Sequence, residues 1–287
     1  MKKYLLPLLG VCLLLLVAGE LIGRTYGLTS FPLFVADPDY EYISAPNQDV
    51  EIFGHHFLTN QYSQRSEQLL PGDTLVSLLV GDSVPNGVND VDQDSLASSL
   101  IEKRRQQETG KRIRILNISA PSWGPDNVAA YLKKHGTFGA KKIVLVVSSH
   151  DAHDNMTFRP IVGQESHPSK NAPFAVIKIG QKVYERFSGR AVSVISNQKE
   201  FNPGFESLRL LTDSLRIPFA IYLHKTLLEI QAGQLEPGGK EIIAYARQHK
   251  IPLFLRDERP SMFVDYIHLN NSGHRFLSEQ LYPIFSN

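Results

Sequence analysis

Thr74-Leu75-Val76-Ser77-Leu78-Leu79-Val80-Gly81-Asp82-Ser83 decides the fold. The stretch is apolar and β-branched with almost no alternation, then turns polar directly after a glycine. A strand of this kind is buried on both faces, as in a parallel sheet covered by helices. The same pattern recurs along the chain. Short apolar strands are read at 113–116, 143–147, 219–223 and 252–255, with 143–147 the strongest. Helix-compatible stretches fall between or after them, at 93–107, 127–135, 241–249 and 272–281. Strands alternating with helices predict an α/β protein, a three-layer α/β/α sandwich around a parallel sheet.

The chain has 287 residues, enough for one large domain with an N-terminal appendage. The division read from the sequence is an N-terminal membrane segment at 1–24, an extended lead-in at 25–72 and the α/β domain at 73–287. The lead-in lacks helical periodicity and reads as short strands or a wrapping segment, for example Val50-Glu51-Ile52-Phe53. Residues 155–205, with Pro, Gly, Ser and some helical pieces, read as an insertion.

Net charge is +1 and no long basic run occurs, which argues against nucleic acid as a partner. The single cysteine, Cys12, excludes an intrachain disulfide and a thiolate zinc cluster. Lys2 and Lys3 precede a leucine-rich stretch from Tyr4 to Gly19, so the basic end is expected to stay in the cytoplasm. Glu20 interrupts the run and leaves it slightly short of the roughly 20 residues of a full span. The preferred reading is an uncleaved single-pass anchor. Val17-Ala18-Gly19 offers the cleavage site of the alternative, a signal peptide. Both readings place the rest of the chain outside the cytoplasm. Oligomeric state is not legible.

In a parallel sheet the strand ends carry the chemistry, because ligands bind outside the carboxyl edge. Gly81-Asp82-Ser83 follows the strand at 74–80. Asn117 to Gly124 follows 113–116, and Ser148-Ser149-His150-Asp151-Ala152-His153-Asp154-Asn155 follows 143–147. Beyond the last strand comes Asp265-Tyr266-Ile267-His268-Leu269-Asn270-Asn271-Ser272-Gly273-His274. A serine hydroxyl needs a base to become a nucleophile, and an imidazole backed by a carboxylate supplies one near neutral pH. Ser83, Asp265 and His268 offer that set, with Asp265 and His268 close enough for one turn to bring them together. Taken singly, Gly-Asp-Ser is more often a turn with a helix cap, and Asp-x-x-His more often a surface cap.

Together these pieces resemble the SGNH, or GDSL-like, serine hydrolase superfamily over about residues 75–281. Gly81-Asp82-Ser83 resembles its first block. Asp265 to Asn270 with Gly273-His274 resembles its last, the most specific match. Ala36-Asp37-Pro38-Asp39-Tyr40 with Pro46-Asn47 is similar to the lead-in of membrane-anchored members found near polysaccharide-export systems. The resemblance implies a flavodoxin-like sheet and ester hydrolysis or acyl transfer without metal or other cofactor. It also implies Ser83 as nucleophile, His268 as base and Asp265 as its partner. The expected substrate is an acyl ester, acetyl above all, of an extracytoplasmic carbohydrate. Transfer to an exopolysaccharide, or a degenerate fold that binds or scaffolds, is the alternative.

The pattern departs from the family in the oxyanion hole. Ser122 stands at the second-block glycine, with Gly124 two residues on, and His150 stands at the third-block asparagine. The expected donors are Ser83, Ser122 and His150, with Gly124, Asn155 or Asn86 as substitutes. His150, Asp151, His153 and Asp154 also admit a rival, a divalent-metal hydrolase. His153 alone reads as a surface histidine, and His55-His56 as an exposed pair. Trp123 reads equally as packing or as a wall for ligand stacking.

Overall fold

The computed structural model describes residues 2–188 and 200–286. The chain opens with α1 (Lys2–Thr25), a helix whose stretch Pro7–Thr25 has mean hydropathy 1.9 and is long and apolar enough to cross a membrane. The helix does not end at Glu20. That carboxylate accepts hydrogen bonds from Arg24 Nε at 2.6 Å and from the backbone N–H of Val176 at 3.2 Å. The charge that makes the apolar run look short is therefore paired.

The lead-in holds two antiparallel hairpins, β1 (Phe34–Asp37) with β2 (Glu41–Ser44), and β3 (Asp49–Ile52) with β4 (His55–Leu58). The strand read at 50–53 is β3, one residue earlier. His55 and His56 lie on β4 and are half-buried, and His56 Nε2 pairs with Asp49 at 2.7 Å.

The sandwich follows as β5 (Val76–Gly81), α2 (Ser83–Asn86), α3 (Ala97–Thr109), β6 (Arg114–Ser119), α4 (Pro125–His135) and β7 (Ile143–Ser148). Next come α5 (Ala175–Ser188), α6 (Gly204–Leu215), β8 (Phe219–His224), α7 (Leu227–Ala232), α8 (Pro237–Gln248), β9 (Leu253–Leu255) and α9 (Asn271–Ser286). Among the described residues the sheet has five parallel strands in the order β6-β5-β7-β8-β9. This is the expected three-layer α/β/α sandwich. The strand order reverses beside β5, so the end of β5 sits at the crevice where such sheets bind ligands.

Alternate side chains of each strand feed two cores. Leu78, Val80, Leu116, Leu145 and Ile221 pack on one face against α4, α6 and α8. Leu79, Val144, Val146 and Tyr222 pack on the other against α3 and α9. Trp123 is buried, and its Nε1 donates to Tyr42 O at 2.7 Å. It is a packing residue that pins the first hairpin to β6's loop, not a ligand-stacking wall. The insertion read at 155–205 contains α5, and 189–199 lie outside the described residues.

Candidate active site

Gly81 ends β5 with φ at +156°, and a side chain there would press within 2.3 Å of Val146 O on the neighbouring strand. Only glycine lets β5 run this close to β7 and still turn outward. Asp82 caps the next helix, its Oδ1 accepting from Val84 N–H at 2.8 Å. Ser83 opens α2, so its own N–H has no acceptor inside the helix. The Asp82 cap and a partly buried Ser83 hydroxyl lining the cavity coexist here.

The Asp265–His268 segment is not helical. It is a turn closed by Asp265, whose Oδ1 accepts from the N–H groups of Ile267 and His268, both at 2.8 Å. Its other oxygen, Oδ2, lies 2.7 Å from His268 Nδ1. His268 Nε2 lies 3.0 Å from Ser83 Oγ. Two segments separated by most of the domain thus meet in one chain of contacts, carboxylate to imidazole to hydroxyl. Burial pushes the Asp265 carboxyl up. The N–H groups of His268 and Ile267 and the His268 ring outweigh it, and the net position is below the usual carboxylate range.

Ser83 and His268 line one cavity of about 330 Å³ with Asn86, Ser122, Phe34 and Phe57. Ser122 has φ at +59°, the left-handed region that costs a residue with a Cβ roughly 1–2 kcal/mol. The strain gives a physical reason for a glycine at this position, and this chain forgoes it. Ser122→Gly should relieve that strain against about 0.4–1 kcal/mol for the freer unfolded chain. A net gain of about 0.5–1 kcal/mol is expected in denaturant midpoint experiments.

The three substitute donors are committed elsewhere. The Gly124 N–H is donated to Asn127 Oδ1 at 2.8 Å to cap α4, and a Cβ on Gly124 would meet Asp154 O at 2.1 Å. Asn155 Nδ2 donates to Glu200 O at 3.1 Å. The Asn86 amide is likewise spent inward, on Ser119 O at 2.9 Å. His150 is not among the described residues that line this cavity; its Nε2 lies 3.9 Å from Asp82 Oδ2 and 3.6 Å from Asp151 Oδ1. Burial lowers its pKa, which favours the neutral ring.

The four-residue metal constellation does not assemble either. His153 turns to Glu241 and Glu200 at the surface, each at 3.2 Å. Asp82, His150 and Asp151 do offer three donor atoms within 4.8 Å of one another. Asp82 Oδ2 and Asp151 Oδ1 are buried with no hydrogen-bond partner. Burial, then repulsion from Asp82, push the Asp151 carboxyl well above the usual range.

Three supporting residues escaped the sequence reading. His224, at the end of β8, is buried; its Nε2 lies 2.8 Å from Ile267 O and its Nδ1 3.2 Å from Glu258 Oε1. It ties the Asp265–His268 turn to the sheet. Arg65, from the lead-in, is buried below α2 and donates to the carbonyls of Asn86, Val88 and Val91. Burial lowers it to about 9. Burial alone would lower His224 too, but the Glu258 carboxylate and the Ile267 carbonyl raise it overall. A raised histidine stabilises the fold fully below its unfolded pKa and loses that contribution as pH rises through the folded one. Stability should therefore decline as pH rises above the ordinary histidine value of about 6.5, and Glu258→Gln should flatten that slope in urea titrations.

No family model matches the chain, and no curated protein matches it. Among solved structures, one described as a lipolytic protein of the G-D-S-L family, from Desulfitobacterium hafniense, aligns at TM-score 0.45 and 9% identity, covering 73% of this chain and 99% of that one. A lipase/acylhydrolase from Enterococcus faecalis aligns at TM-score 0.42 and 13% identity, covering 73% and 94%. A two-domain esterase active on acetylated mannans aligns at TM-score 0.43 and 10% identity, covering 75% and 49%. The chain is similar to these hydrolases over about three quarters of its length, and its sheet order and its Ser83–His268–Asp265 contacts stand without them.

Proposed function

We propose that the protein is a serine esterase, anchored by α1 with its α/β domain outside the cytoplasm, that cleaves an acyl ester of a carbohydrate. The observation that carries this reading is the 3.0 Å contact between Ser83 Oγ and His268 Nε2, backed by Asp265. His268 takes the hydroxyl proton as Ser83 Oγ attacks the ester carbonyl carbon. Charge developing on the carbonyl oxygen meets the N–H groups of Ser83 and Ser122, while His150, expected as a third donor, instead faces Asp82 and Asp151. His268 returns the proton to the departing alcohol oxygen, leaving an acyl-serine. Water, deprotonated by the same imidazole, then attacks the acyl carbon and releases the acid and Ser83.

The cavity walls suit a sugar ester. Phe31, Phe34 and Phe57 present aromatic surface, while Asn89, Glu165 and Lys178 supply polar groups. The acetyl group comes from the resemblance of 36–47 to anchored members near polysaccharide systems. A sugar hydroxyl replacing water at the second step would give transfer instead of hydrolysis. The test is acetate release from acetylated oligosaccharides by the full chain, with and without an unacetylated acceptor sugar. Release independent of acceptor supports hydrolysis. Acetyl appearing on the acceptor supports transfer. Failure of both, with p-nitrophenyl acetate also uncleaved, would remove the enzymatic reading and leave the scaffold alternative.

A further inference from the structure

The end of α1 is not isolated from the domain. Gly19 and Gly23 of α1 face α5, where a Cβ on Gly23 would meet the Ala175 Cβ at 2.5 Å. Glu20 accepts from the N–H of Val176, and Arg24 Nη2 donates to Pro173 O at 3.2 Å. The first turn of α5 is thus fixed against the last turns of the helix that reads as the membrane span.

α5 is apolar on the wrong side for a water-exposed helix. Its inward face holds Ala175 and Lys178, and Lys178 pairs with Glu165 at 2.5 Å over the Phe31 ring. Its outward stripe carries Ile177, Val183, Tyr184 and Phe187, with Tyr184 65% and Phe187 86% exposed. More exposed aromatics ring the same end of α1. Tyr26 follows it directly, Phe174 precedes α5, and Phe53 is tied to Tyr26 through a backbone hydrogen bond of 3.1 Å. Apolar stripes and aromatic belts of this kind lie at the boundary between acyl chains and headgroups. The end of α1 itself exposes Leu21 and Ile22.

We infer that α5 and the aromatic residues around the end of α1 form a second membrane contact, seated in the outer interface of the bilayer. The occupant is the lipid surface, because the patch adjoins the spanning helix and is held to it by Glu20 and Arg24. Phe53 of this collar and Lys178 on the inward face of α5 both line the Ser83 cavity. The cavity therefore opens beside the lipid surface, and the ester is taken where it emerges from the membrane.

This rests on the reading of α1 as an anchor, and the test separates the two. The full chain is placed in lipid nanodiscs as Phe187→Trp, Tyr184→Trp or Leu15→Trp, with buried Trp123 as internal reference. Lipids brominated near the headgroup end of their chains should quench the Phe187→Trp and Tyr184→Trp emission by about half or more, with a blue shift, and iodide should not. Quenching of Leu15→Trp by bromine near the bilayer centre reports the anchor alone. If Leu15→Trp is quenched while the α5 variants answer only to iodide, the collar is wrong and the anchor stands. If the α5 variants are blue-shifted yet blind to both quenchers, a protein surface covers α5 and the inference falls. If no variant senses bromine, anchor and collar fall together.

Discussion

Ser83→Ala is expected to lower esterase turnover by about 10⁴- to 10⁶-fold while leaving the fold intact. Ser83 is partly buried, and its hydroxyl contacts His268 Nε2. The helix cap that fixes its backbone belongs to Asp82, the tight strand end to Gly81 and the loop support to Arg65. None of these passes through the Ser83 side chain. The alanine variant should therefore melt within about 0.5 kcal/mol of the parent. The residual rate measures what the N–H donors and the cavity contribute without a nucleophile. Turnover of p-nitrophenyl acetate, followed beside a denaturant titration, reads both quantities. Unchanged turnover would mean that another group attacks the ester.

Asp265→Asn is expected to cost about 10⁴-fold in kcat with little change in KM. The two oxygens of Asp265 have separate tasks. Oδ1 holds the turn through two backbone N–H groups, and an asparagine carbonyl can still do so. Oδ2 accepts from His268 Nδ1, which leaves Nε2 as the acceptor facing Ser83. An amide N–H₂ at that position donates instead, so Nδ1 becomes the acceptor and Nε2 carries the proton. The imidazole then has no lone pair for the serine proton. Because the Asp265 carboxyl sits below the usual range, its stabilising charge is present at ordinary pH and is lost only as pH falls through that lowered value. A fall of less than about tenfold in Asp265→Asn would show that Asp265 is not the orienting carboxylate.

The sheet was readable because β5, β7 and β8 are buried on both faces, which writes them as unbroken apolar runs such as Ile143–Ser148. Helices α6 and α7 fall outside the stretches that read as helical: α6 follows the insertion, and α7 is a six-residue turn after β8. The three triad candidates were legible from residue type and from their places at strand ends. Their turn was not, since Asp265 closes it with its own carboxylate instead of a helical turn. Gly124 reads as an oxyanion donor from its proximity to Ser122, but proximity says nothing about its N–H, which is donated to Asn127 Oδ1. The strain at Ser122 is a backbone angle, invisible in a list of side chains. His224 and Glu258 meet only once β8 pairs with β9, so no local pattern announces them.

The most direct measurement is reaction of the full chain with a fluorophosphonate, with the modified residue located by mass spectrometry. A hydroxyl activated by His268 predicts one rapid adduct on Ser83, absent in His268→Ala. No adduct, or an adduct on Ser83 that forms equally fast without His268, would contradict it.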